Sequence, residues 1–103
     1  MYMTVSRISR NDLAPCTNAD YETIIPSMAS FAAYNQVVAD MQAAGDIIYR
    51  SGSINENDEL ETVTLYKNQA VYTAFKADPA WAPFEAALAA FYVSPITVVE
   101  EEI

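Results

Sequence analysis

Leu60-Glu-Thr-Val-Thr-Leu-Tyr66, Asn68 to Ala77, Asp78-Pro-Ala-Trp-Ala-Pro83, Phe84 to Tyr92 and Pro95-Ile-Thr-Val-Val99 follow one another at the end of the chain. They read as strand, helix, break, helix, strand. The first segment alternates and is rich in β-branched residues, which suits a strand over Leu60–Tyr66. Asn68 is a helix cap by residue type, and Val71, Tyr72 and Phe75 supply the apolar positions that follow it. Asp78-Pro79 ends that helix, because a residue before proline avoids the α region. Pro83 suits the first turn of a fresh helix, where its missing N–H costs nothing. Phe84, Leu88 and Phe91 form the second helix's stripe. Pro95 stops it and opens a last strand over Ile96–Glu101. Glu100-Glu-Glu102 reads as a solvated tail that discourages edge pairing.

The outer frame of this stretch is echoed in the first half of the chain. Met1–Ile8 alternates as a strand. Ser9–Pro26 is turn-rich, with Asn11-Asp12, Asn18-Ala-Asp20 and two prolines, and a short helical turn is expected near Asp20–Ile25. Loops of that length are often functional, and this one reads as a lid, a dimer arm or a connector. A helix is expected from Ser27, as N-cap, to Ala44, with Phe31, Tyr34, Val38 and Met41 along one stripe. Gly45 supplies the left-handed residue that ends it. Asp46–Ser51 is the second strand. Continuation of that strand through Ile54 would make the Asn55–Glu59 connection a tight hairpin. The order is β-α-β-β-α-β, an α+β fold on the ferredoxin-like plan, with both helices on one face of a four-stranded antiparallel sheet and the second helix broken.

Neither face of that sheet is cleanly polar in the sequence. Ile47 and Ile48 are adjacent, Val63 and Leu65 alternate with Thr62, Thr64 and Tyr66, and Thr97 and Val99 oppose Ile96 and Val98. A sheet with one wet face alternates better than this. A homodimer stacked through the open sheet face is therefore expected, a monomer with an open Thr/Tyr face being the other solution.

Residues 1–103 are expected to form one domain. Twelve percent of the residues are aromatic, many large side chains for one small core, so some are expected to meet a partner or a ligand. Fourteen acids against five bases give a formal charge of −9, a field that repels phosphate backbones, so no nucleic-acid partner is expected. Cys16 is the lone cysteine, with no internal disulfide available and no histidine or basic cluster to activate it. No apolar run reaches signal-peptide or membrane-helix length, so neither a membrane partner nor secretion is expected and a cytoplasmic location is the default.

With strand Leu60–Tyr66, Asn68, Asp78-Pro79, Trp81, Pro83-Phe84 and the closing Pro95-Ile-Thr-Val98 in place, the chain resembles the dimeric α/β-barrel superfamily. That group includes antibiotic-biosynthesis-monooxygenase-like and stress-responsive barrel proteins. The resemblance implies a ligand cavity between sheet and helices, which members use to oxygenate aromatic polyketides, degrade haem, isomerise or simply bind. The chain has no histidine, which removes the haem-degrading and chlorite-dismutase-like activities.

Cofactor-free chemistry on a phenolic substrate needs an aromatic pocket with Asn, Tyr, Trp or Arg beside its oxygens. Asn35, Asn68, Arg50 and several aromatic residues supply those types. Plainer readings stand beside them: Asn68 as a cap, Trp81 and Phe84 as core, Tyr49 and Tyr66 as ordinary strand residues. Tyr34, Tyr49, Tyr66, Tyr72, Trp81 and Phe84 are the expected pocket residues. Asn55–Glu59 lacks the pattern of a calcium loop and reads as a solvated turn; no metal and no cofactor is expected. Two functions remain open. One is a small-molecule-binding protein, including a cofactor-free enzyme acting on an aromatic or apolar compound. The other is a non-catalytic homodimeric interaction or structural protein.

Overall fold

A computed structural model describes residues 1–93 and 96–103, with Ile96 described by its backbone. Four strands, β1 (Tyr2–Ile8), β2 (Ile47–Ile54), β3 (Leu60–Tyr66) and β4 (Ile96–Glu102), alternate with α1 (Phe31–Ala43), α2 (Gln69–Ala77) and α3 (Trp81–Leu88). A π-helical turn, Asp20–Ile24, interrupts the first long connection. The sheet order is β2-β3-β1-β4 with every neighbouring pair antiparallel. This is the ferredoxin-like arrangement expected from the element order.

Local chemistry explains most boundaries. Gly45 has φ +78°, the left-handed conformation that ends α1. The Asn68 side chain accepts the Val71 N–H at 2.9 Å and caps α2. At the break, Asp78 turns extended with ψ 136°, and its carboxylate accepts the Ala80 N–H at 2.9 Å. That places Trp81 as the first residue of α3.

Several boundaries differ from the sequence reading. Helix α1 starts at Phe31, because Ser27 completes the preceding turn: its hydroxyl donates to the Ile24 carbonyl at 2.7 Å. Strand β2 does continue to Ile54. The Asn55 side chain accepts the Asn57 and Glu59 N–H groups, each at 3.0 Å, and folds Asn55–Glu59 into the hairpin turn. Helix α3 stops at Leu88, so Phe91 leaves the stripe and is 54% exposed, while Tyr92 is buried to 1%. The cause is capture of this segment by the first loop: Asn11 N–H donates to the Phe91 carbonyl and Val93 N–H to the Ser9 carbonyl, each at 2.9 Å. The expected role of Pro95 lies outside the described residues. Glu100, Glu101 and Glu102 are exposed, as expected, and they extend the strand by pairing with Thr4, Met3 and Tyr2.

The strand faces divide unexpectedly. Tyr2, Thr4, Ser6 and Ile8 of β1 lie beside Leu60, Thr62, Thr64 and Tyr66 of β3 on the side under the helices. Met3, Val5, Val63, Leu65 and Val99 share the opposite, outward side. They are half-buried and stand outside the core cluster, which is built on Tyr34, Val38, Ile47, Leu60, Phe75, Phe84 and Leu88. Small hydroxyl side chains thus face the helices in the middle of the sheet, and aliphatic ones face away.

Candidate functional site

That inversion leaves a hollow. A half-open cavity of about 450 Å³ lies between the helix-facing side of the sheet and the helices. Thr4, Ser6, Thr62, Thr64 and Gly52 form much of its floor. Side chains of that size reach less far toward α1 and α3 than Ile or Leu would at the same positions. The roof is aromatic. Tyr34 of α1 stacks on Phe84 of α3 with ring centroids 4.0 Å apart and planes at 12°. Trp81 stands 5.9 Å from Tyr34 and 5.4 Å from Phe75 by centroid. Tyr21 and Ile25, from the long first connection, also line the cavity, so that segment forms part of its wall.

Five of the six residues expected from the sequence come together here: Tyr34, Tyr66, Tyr72, Trp81 and Phe84 line the cavity. Tyr49 does not. The β2–β3 register shifts between Ile47 and Tyr49, so Tyr49 pairs with Leu65 on the outward side and is 56% exposed. The bulge is the physical reason. Asn35 lines the cavity, whereas Asn68 serves as the α2 cap. Thr4, Thr62, Thr64, Tyr21 and Lys76 also line the cavity, beyond the residues expected from the sequence. Thr62 and Thr64 carried a visible period of two, but only the pairing register says which way they face.

Two cations meet the aromatic roof. Arg50 of β2 lies 5.4 Å from the centroid of the Tyr34 ring and donates from Nη2 to the Tyr34 hydroxyl. Lys76 of α2 places its Nζ 4.1 Å from the centroid of the Trp81 ring. Both are cation–π contacts, which stabilise a charge without neutralising it. Among the described residues no carboxylate lines the cavity. The Tyr66 hydroxyl is pushed up to about 12 by burial, against the opposing pull of Arg50, so at neutral pH it is protonated. Burial raises the Tyr72 hydroxyl as well, with the Glu100 carboxylate adding to the effect.

A second polar centre lies apart from the cavity floor and was not legible in the sequence. Asp20 has no exposed surface and accepts three hydrogen bonds: from Tyr92 Oη at 2.6 Å, Thr17 N–H at 2.7 Å and Arg10 Nη1 at 3.2 Å. Cys16, 3% exposed, lies in the same segment, and burial pushes its thiol up, away from the reactive thiolate.

Neither a family model nor a curated protein sequence matches this chain. Among solved structures it is similar to SnoaB, a cofactor-independent oxygenase from Streptomyces nogalater. The TM-score is 0.56 at 13% identity, over 99% of this chain and 94% of that one. The two chains share a fold, the ferredoxin-like one expected from the order of elements. Among the described residues, no helix is long and apolar enough to cross a membrane.

Proposed function

We propose that this protein binds a small aromatic or apolar compound in the cavity beneath its helices and works as a homodimer joined through the outward face of its sheet. The observation that carries the binding reading is the hollow itself, with hydroxyls on the sheet side and stacked aromatic rings on the helix side. Ligand sites typically combine mostly apolar walls, a few placed polar groups and a volume of roughly 300–1,000 Å³. A purely structural protomer would fill this space with side chains, which weighs against a non-catalytic interaction protein.

Pairing through the sheet is supported by Met3, Val5, Val63, Leu65 and Val99, which form a continuous aliphatic patch across three strands. A contiguous apolar patch of this kind is a common mark of a protein interface.

Cofactor-free oxygenation, the activity named for SnoaB, is a reaction type such a cavity would suit. The chain has no histidine, and its one cysteine is buried away from the cavity lining. Any reactivity would therefore come from the bound compound, with Arg50, Tyr34 and Tyr66 acting on its oxygens.

Trp81 is the one tryptophan and lines the cavity, so it reports on occupancy. Fused-ring phenols and quinones should quench its fluorescence saturably at micromolar concentrations. A flat response across a broad panel of aromatic compounds would sink the binding reading.

A further inference from the structure

The charges around the cavity run against those of the chain. The protein carries fourteen acids and five bases, yet the cavity is lined by two of the bases, Arg50 and Lys76, and by no carboxylate among the described residues. The other two arginines are committed elsewhere: Arg7 pairs with Glu61 at 2.8 Å, and Arg10 with Asp12 and Asp20 at 2.8 and 3.2 Å. Among the described residues, neither Arg50 nor Lys76 forms an ion pair with a carboxylate. Each touches a ring instead. The four side chains make one continuous series, Arg50 to Tyr34 at 5.4 Å, Tyr34 to Trp81 at 5.9 Å, and Trp81 to Lys76 at 4.1 Å.

The donor geometry points the same way. A guanidinium has five N–H donors in a planar fork, and Arg50 spends one of them on the Tyr34 hydroxyl. Because Tyr34 accepts that bond through its oxygen, its own hydroxyl hydrogen remains free to donate. Two donors, one of them charged, therefore adjoin each other at the β2 side of the cavity. The carboxylate beside Tyr72 belongs to Glu100 of β4, at the other edge of the sheet. An anionic group in the cavity is repelled from the β4 side and attracted to the β2 side.

We infer that the cavity selects an aromatic anion, its negatively charged oxygen seated on Arg50 and the Tyr34 hydroxyl and its ring against Trp81 and Phe84. This rests on the reading that the cavity binds a ligand, and it adds the charge class and the orientation. A carboxylate, phenolate or enolate carried on a fused ring has the required chemistry.

The test compares 2-naphthoate with 2-naphthamide, of similar shape but uncharged, by quenching of Trp81. The unmodified protein should bind the anion about tenfold or more tightly than the amide, as a charge-assisted hydrogen bond implies. Arg50→Met should bring that ratio close to one, weakening the anion much more than the amide. Tyr34→Phe, which keeps the stacked ring, should lower the ratio part of the way and serves where Arg50→Met fails to fold. Equal affinity for the two compounds in the unmodified protein, or a ratio that survives both substitutions, would overturn the inference while leaving the ligand reading intact. If neither naphthyl compound binds but other neutral aromatics do, charge selection is again overturned. If no aromatic compound binds at all, the ligand reading itself falls.

Discussion

Tyr92 donates its hydroxyl to the Asp20 carboxylate at 2.6 Å, joining the end of the broken helix to the first loop across 72 positions of chain. Arg10 and the Thr17 N–H complete the set around a carboxylate with no exposed surface. A buried charge is tolerable only while its partners are present. Tyr92→Phe should cost about 1.5–3 kcal/mol, the range of a hydrogen bond to a charged group. Asp20→Ala, which leaves the Tyr92 hydroxyl and the Thr17 N–H without their acceptor while Arg10 keeps Asp12, should cost more, at about 1–3 kcal/mol for each buried donor left unsatisfied. Urea denaturation measures both. A loss indistinguishable from that of an exposed control such as Asp40→Ala would contradict this account of the latch.

Gly52 permits a close approach. A Cβ there would lie 3.0 Å from Tyr21 Cζ and 3.1 Å from Tyr21 Oη. Tyr21 cannot retreat freely, because its hydroxyl bonds the Glu61 and Ser53 carbonyls at 3.2 and 3.3 Å. Gly52→Ala should therefore destabilise by about 1–3 kcal/mol through overpacking. In a Tyr21→Ala background the same substitution should cost little, and the double-mutant cycle reads the difference. An equal cost in both backgrounds would assign the effect to the strand itself.

Stability should fall on the alkaline side for a stated reason. Burial raises the Tyr66 hydroxyl from its ordinary value of 10.0 to about 12, and it raises Tyr21, Tyr72 and Tyr92 in the same direction. A group whose folded-state value is raised contributes its full stabilisation below the unfolded value, and loses it as pH rises through the folded one. For Tyr66 that window runs from 10.0 to about 12, and the loss amounts to about 2–3 kcal/mol. The urea midpoint should be insensitive to these groups at neutral pH and drop across the window. Tyr66→Phe should remove part of the drop.

How much of this was open to a reader of the sequence divides along physical lines. Caps and breakers act locally, so Asn68, Gly45 and Asp78-Pro79 marked their helix ends correctly. Features that depend on pairing did not show. The bulge that sends Tyr49 outward, the register that turns Thr62 and Thr64 under the helices, and the capture of Tyr92 by Asp20 all arise from contacts between distant segments. Tyr49 is the instructive case: it alternates like Tyr66, yet one register shift at Ile47/Tyr49 moves it to the other face.

The outward patch carries its own expectation. Light scattering of the purified protein at micromolar concentration should give a mass near twice that of the chain. Val63→Glu and Leu65→Glu, which place charge in the middle of the patch, should give the monomer mass with unchanged far-ultraviolet circular dichroism. A monomer in the unmodified protein would remove sheet-to-sheet pairing from the account.

The central claim is that a small aromatic compound occupies the space between the hydroxyl side of the sheet and the stacked rings. The most direct measurement is methyl NMR of protein labelled at Thr, Ile, Leu and Val, titrated with 2-naphthoate. Shifts should concentrate on Thr4, Thr62, Thr64 and Ile47, which line the cavity, and leave Val5, Val63 and Leu65 nearly still. Shifts confined to Val5, Val63 and Leu65 would contradict it, as would the absence of shifts with 2-naphthoate and with every neutral aromatic compound of the panel.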